Sequence, residues 1–192
     1  MKRCKWAGTS NDLMMQYHDT TWGRPEHDDQ TLFEFLILEG QQAGLSWSTI
    51  LNKRENFRKA YANFDPKIVS TFTEEKIEEL KQDSSIIRNA LKIKSAVNNA
   101  KRFLEVQKEF GSFDKYIWSF VNHKQIINNF SQASDIPAST DISVKMSKDL
   151  KKRKFNFIGP TIMYAFMQAT GMVNDHETTC FCYQEIIQMV NE

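Results

Sequence analysis

Apolar residues recur along this chain with the period of an α-helix, and no stretch alternates convincingly as a strand does, so the pattern predicts an all-α fold. Residues 1–27 are aromatic and turn-rich with little helical period, an irregular arm carrying one short helix near Asp12 to His18. Asp28 or Asp29 can cap a helix whose run Leu32, Phe33, Phe35, Leu36, Ile37, Leu38 reaches Glu39 or slightly beyond. Ser46 caps the next, with Trp47, Ile50, Leu51, Phe57 and Tyr61 turned inward and Lys53, Arg54 and Lys59 facing water. Asp65-Pro66 and Thr73 open two short helices. A long amphipathic helix runs from Ser85 to about Phe110 and stops at Gly111; Tyr116 to Val121 form a short one, and 122–140 read as a polar connection interrupted by Pro137. Ile142, Met146 and Leu150 line a helix, and Pro160 opens another that ends at Gly171.

A chain of 192 residues is long enough for one domain, built as a single core or as two helical lobes sharing an interface. With 41% hydrophobic and 26% charged residues, its composition is that of a water-soluble globular protein. It contains no apolar run long enough to span a membrane, and its N-terminus lacks the apolar segment of a signal peptide, so the cytoplasm is the expected compartment. No dimerisation pattern is present, which makes a monomer the default. A net charge of +1 says nothing about partners until its distribution is considered.

The stretch from Leu36 to Leu51 concentrates the chemistry. An apolar helix delivers one acid, Glu39, to its end; a glycine-bracketed segment, Gly40-Gln41-Gln42-Ala43-Gly44, follows, then Leu45, Ser46 and Trp47. A carboxylate at the edge of an apolar wall either meets a donor or sits in a pocket awaiting one. With an aromatic face eight residues on, the stretch suggests a site for a flat, polar ligand.

Residues 142–171 form two helices joined by a tight, glycine-containing turn after Lys151-Lys152-Arg153-Lys154, the pattern of a helix-hairpin-helix. Such a turn offers backbone N–H groups and a helix N-terminus to a phosphate, while the cations add attraction independent of sequence. The alternative is a solvated basic helix end that favours its own dipole; the Ile158-Gly159-Pro160 junction favours phosphate binding.

His176 and Cys180 have the spacing of a metal half-site on one helical turn, and Cys4 with His18 could complete a closed, tetrahedral and therefore structural zinc site. It would tie the arm to the tail. The other reading is of buried thiols and a surface histidine, and Cys182 is a spare ligand that a helix would turn elsewhere.

Taken with RCKWAG, YHDTTWGRP, LFEFLILEGQQAGLSWSTIL, WSFVNH, FIGPT and VNDH, the chain resembles the bacterial DNA-3-methyladenine glycosylase I family over nearly its whole length. The resemblance implies an all-α, helix-hairpin-helix glycosylase of one domain, with the base pocket between its lobes. It implies one structural zinc (Zn2+) on Cys4, His18, His176 and Cys180, a base-binding and catalytic Glu39, and aromatic pocket residues Tyr17, Trp22 and Trp47 with Trp6 nearby. The loop around Gly44 and Leu45 would probe the gap in alkylated double-stranded DNA, and the hairpin from Phe155 to Thr161, with Lys154, Phe157, Gly159 and Thr161, would contact its backbone. The implied reaction flips out 3-methyladenine and hydrolyses its N-glycosidic bond without a lyase step, releasing free base; no lysine stands in a context that suggests a lowered pKa. Where related glycosylases carry a catalytic aspartate this chain has Asn174, and the adjoining Asp175 is expected to orient His176, or else to assist catalysis. A non-catalytic damaged-DNA-binding zinc module is the alternative function, and a zinc hydrolase is disfavoured because four ligands leave no open metal position.

Overall fold

The structure, a computed structural model, describes residues 1–8 and 11–191. It is built around helix α2 (Asp29–Gln42), in which every residue from Leu32 to Gln41 is buried. A helix apolar all round must be surrounded. Around it stand α1 (Asp12–Thr20), α3 (Trp47–Asn52), α4 (Arg54–Ala60), α7 (Ala90–Phe110), α8 (Phe113–Trp118) and α10 (Pro160–Ala169). The short helices α5 (Pro66–Val69) and α6 (Glu74–Gln82) pack outside α7, α9 (Asp141–Lys152) pairs with α10, and α11 (Phe181–Asn191) closes the chain. Phe33 of α2 meets Phe103 of α7 at 5.1 Å between ring centroids, and Phe103 stacks on Phe113 of α8 at 4.1 Å. Among the described residues, no helix is long and apolar enough to cross a membrane.

The caps read from the sequence form at Asp28, Ser46, Asp65 and Thr73. Asp29 does something else: its carboxylate accepts from Gln107 and from the backbone N–H groups of Phe113 and Asp114, which anchors the start of α8 on α2. Four expectations need correction. The helix expected from Ser46 to Tyr61 breaks at Lys53, and Arg54 does not face water; with Arg58 it reaches the buried Glu34, at 2.6 Å and 3.1 Å. The long helix begins at Ala90 and not Ser85, because the Asn89 side chain accepts from Lys92 N–H and sets the boundary. The fold is mainly but not wholly helical: β1 (Ile126–Ile127) and β2 (Val173–Asn174) pair in parallel, each two residues long and so too short to alternate visibly. Finally, the α9–α10 turn takes its positive φ angles at Lys154 (65°) and Phe157 (53°), while Gly159 is extended and caps α10 with Pro160 as its first residue. Asn99 of α7 clamps that turn by bonding both the N–H and the carbonyl of Asn156, at 2.8 and 2.9 Å.

Candidate active site

A cavity of about 330 Å³ opens between the arm, the end of α2, the start of α3 and the inner face of α10. Trp6, Tyr17, Trp22, Glu39 and Trp47, spread over 42 positions of sequence, all line it. Tyr17 and Trp47 lie 5.3 Å apart at 44°, and Trp6 meets Trp22 edge-on at 4.9 Å, leaving an aromatic slot. Glu39 is only 4% exposed, and among the described residues no side chain or backbone N–H donates to its carboxylate. Burial pushes its pKa up from 4.5 to about 8, so the surrounding protein alone favours the neutral acid at pH 7. The indole N–H groups of Trp6 and Trp47 are likewise buried without a partner among the described residues. A wall of aromatic faces with unanswered donors and one unanswered acid is suited to a planar, polar, electron-poor ligand.

Sequence reasoning missed part of this wall: Met14, Gln42, Ala165 and Gln168, with Ala133 and Ile136 from the connection read as merely polar. Gln168 carried a signal, as the one carboxamide in the otherwise apolar or aromatic run Met163 to Ala169.

Glu39 also borders a second recess, of about 260 Å³, lined by Gln42 to Leu45 on one side and Thr161, Ile162 and Ala165 of α10 on the other. Gly44 takes a φ of 79°, which permits the sharp turn that leaves Leu45 40% exposed. The loop is held from beneath by Lys92, whose amine donates to the carbonyls of Gln41 and Ala43 at 2.7 Å each. Lys92 departs from the sequence expectation: it is buried and its pKa is lowered by desolvation, yet its amine is committed to the loop and not to the cavity. Of the predicted hairpin residues, Thr161 lines this recess and Gly159 caps α10. Lys154 is exposed and Phe157 packs against Gly40, where a Cβ would come within 3.2 Å of the Phe157 Cβ. Arg153 is not a free cation, since Glu109 and Asp149 bind it and it lies over the rings of Phe110 and Tyr116.

Behind the aromatic slot, Cys4, His18, His176 and Cys180 are all buried and bring four ligand atoms within 4.8 Å of one another. Cys4 Sγ lies 3.4 Å from His176 Nδ1, and Cys180 Sγ lies 3.4 Å from His18 Nε2 and 3.6 Å from His176 Nδ1. A tetrahedral ion with metal–sulfur bonds of about 2.3 Å and metal–nitrogen bonds of about 2.05 Å sets such edges at roughly 3.5 Å. The outward nitrogens are oriented by acceptors: His18 Nδ1 by Asp19 at 2.8 Å, Asp19 being held by Arg3, and His176 Nε2 by the Trp22 carbonyl at 3.0 Å. Both rings thus turn a lone pair inward. Hydrogen bonds from Cys182 and Cys4 pull the Cys180 thiol far down, and the same bonds push those two up. Cys182 stands on the other side of His18, 3.9 Å from Nδ1, outside the four-atom set. His176 and Cys180 do not share a helical turn as their spacing suggested; they flank an irregular turn that ends where α11 begins.

Asp175 does not orient His176. Its carboxylate accepts from Asn128 at 2.6 Å, from the Tyr164 hydroxyl at 2.6 Å and from Gln168 at 2.8 Å, and the ring next to it is held by Trp22 instead.

Residues 6–183 match the family model for methyladenine glycosylase. DNA-3-methyladenine glycosylase 1 of Escherichia coli (strain K12) is 48% identical over 183 residues, covering 95% of this chain and 97% of that protein. A crystal structure of 3-methyladenine DNA glycosylase I superposes with a TM-score of 0.92 at 46% identity, over 94% of this chain and 99% of the other. The Staphylococcus aureus 3-methyladenine DNA glycosylase I, whose structure describes the basis of 3-methyladenine recognition, aligns with a TM-score of 0.91 at 37% identity, over 94% of this chain and 96% of its own. With Glu39, the aromatic slot and three of the four cluster residues, His18, His176 and Cys180, inside the matched residues 6–183, this chain belongs to the methyladenine glycosylase family.

Proposed function

We propose that this protein excises 3-methyladenine from alkylated double-stranded DNA by hydrolysis of the N-glycosidic bond, with no lyase step. The observation that carries the reading is Glu39, a buried acid in an aromatic slot with no donor among the described residues to answer it. Alkylation at N3 leaves the nucleotide's purine cationic, which weakens its bond to deoxyribose and strengthens its stacking on Trp47 and Tyr17. The flipped base brings to Glu39 both a positive ring and the N–H donors of its exocyclic amino group, which favour the carboxylate form. Water adds to C1′ as the C1′–N9 bond breaks; the bonding pair stays on N9, neutralising the departing base, and the water's proton goes to solvent. The enzyme therefore acts chiefly through extrusion, stacking and charge balance, with Glu39 as the catalytic residue. Leu45, on the Gly44 turn, fills the gap left in the duplex, while Thr161, Gly159, Phe157 and Lys154 place the α10 N-terminus and its turn at the flanking backbone.

Cys4, His18, His176 and Cys180 fit one structural zinc, which leaves no open position for chemistry and serves to fasten arm to tail. Further parts of the reading are a monomer, one domain of two helical lobes with the base pocket between them, and a cytoplasmic site of action. The test is release of free base from methylated duplex DNA, resolved by chromatography, for the wild type beside Glu39→Gln. Release of 3-methyladenine with a nicked-free abasic product, lost in the variant, is expected. Folded protein that binds the DNA and releases nothing would instead be a damage-binding module.

A further inference from the structure

Three donors converge on Asp175, which is 1% exposed: the Asn128 carboxamide, the Tyr164 hydroxyl and Gln168 Nε2. A carboxylate accepts and does not donate, so the Gln168 carboxamide has only one way round. Its nitrogen is on Asp175, and its oxygen is left as the free polar atom of a residue that lines the 330 Å³ cavity. Among the described residues nothing donates to that oxygen. Tyr164 and Gln168 are four apart on α10, so the same helix face carries both bonds and holds the carboxamide against rotation.

We propose that Gln168, locked by Asp175, is a specificity-determining residue: its oxygen is a second acceptor for the base edge and selects a 6-amino purine over a 6-oxo purine. The inference rests on the reading of the cavity as the base site. An amino group satisfies the Gln168 oxygen, whereas a 6-oxo group sets oxygen against oxygen there and leaves both of those oxygens unpaired in a dry site. Asp175 is a positioning residue that acts through Gln168.

The experiment measures binding of free 3-methyladenine and free 3-methylhypoxanthine, its 6-oxo counterpart, through quenching of tryptophan fluorescence in the full chain. The variants are Gln168→Met, Asp175→Asn and the double substitution, with bound metal and melting temperature recorded for each. Gln168→Met keeps the length of the side chain and removes the acceptor. It is expected to weaken 3-methyladenine about tenfold, the scale of one lost hydrogen bond, and to leave the 6-oxo base unchanged or tighter. Asp175→Asn lets its neighbours be satisfied in either orientation and so frees Gln168; a smaller loss of selectivity is expected, and none when Gln168 is already Met. An equal fall for both bases would mean that Gln168 only packs, and would overturn the proposal. A selectivity loss from Asp175→Asn that persists in the Gln168→Met background would overturn the positioning role. Wild-type protein that bound neither base would sink the base-site reading itself, and this inference with it.

Discussion

Glu39 should make the empty protein less stable as pH rises, and Glu39→Gln should abolish that dependence while abolishing excision. In the unfolded chain the carboxyl titrates near 4.5; in the fold, burial moves it to about 8. Between those values the unfolded chain has released the proton and the folded protein retains it, so raising the pH favours unfolding. The stability is fully present below 4.5 and is lost progressively until the pH passes about 8. Between pH 5.5 and 8.5 the linkage amounts to about 3 kcal/mol, at about 1.4 kcal/mol per tenfold change in proton binding. The isosteric amide carries no such penalty. The assay is urea unfolding of metal-loaded protein at pH 5.5, 7 and 8.5, with the variant subtracted from the wild type so that all other groups cancel. The wild type is expected to lose about 3 kcal/mol relative to Glu39→Gln across that range. A difference that stays flat would mean that Glu39 is ionised in the empty site, and the account of an acid held neutral until a cationic base arrives would fail.

Leu45→Ala should reduce excision from duplex DNA about tenfold, the burial of an isobutyl group between bases being worth roughly 1–2 kcal/mol, and should leave binding of the free base unchanged. Lys92→Met leaves the carbonyls of Gln41 and Ala43 unanswered, so urea unfolding should show a loss of roughly 2–4 kcal/mol and the KM for duplex should rise more than kcat falls. Gly171→Ala should be among the most damaging single changes, beyond about 3 kcal/mol by thermal or urea unfolding. Gly171 has a φ of 66°, and a Cβ there would collide with the Arg24 carbonyl group and the Pro25 nitrogen.

Most helix boundaries were legible because caps are local: Asp28, Ser46, Thr73, Gly111 and Pro160 act within four residues of themselves. What was not legible came from partners far away in sequence. Arg54 looked like a solvent-facing cation because nothing near it announces Glu34, and Arg153 looked like one of four free charges because Glu109 lies 44 residues earlier. The pocket divides in the same way. Its acid and aromatic residues stand out by type, and Glu39 stands out also by its place at the end of an apolar helix. Gln168 is ordinary by type and became informative only when Asp175 was seen to fix its orientation. Asp175 was misassigned because adjacency to His176 suggested contact, whereas its carboxylate meets Asn128, Tyr164 and Gln168, all distant enough in sequence to give no local sign.

The Cys/His cluster and the aromatic slot share a wall, which makes metal removal a test of the proposed site as well as of the fold. Trp6 meets His18 at 5.3 Å, Trp22 meets His176 at 4.6 Å, and the Trp22 carbonyl holds the outward nitrogen of His176. Two of the aromatic residues that line the slot therefore rest on the two histidine rings of the four-residue cluster. The backbone joins the same parts, through Phe181 N–H to the Lys2 carbonyl and Lys5 N–H to the Glu177 carboxylate at 2.9 Å. Without an ion, two histidines and two thiols that face one another must share protons in a buried space, which loosens the join between the first residues of the arm and the tail. Cys4→Ser, or exhaustive chelation, is expected to lower the melting temperature by about 10 °C or more, as a loss of several kcal/mol implies. It should also weaken binding of free 3-methyladenine, with a blue-to-red shift in tryptophan emission as Trp6 and Trp22 meet water. Zinc added back should restore both to the chelated wild type and not to the variant. Base binding at full strength in metal-free protein would show that the slot stands without the cluster, and that the shared wall is a matter of proximity alone.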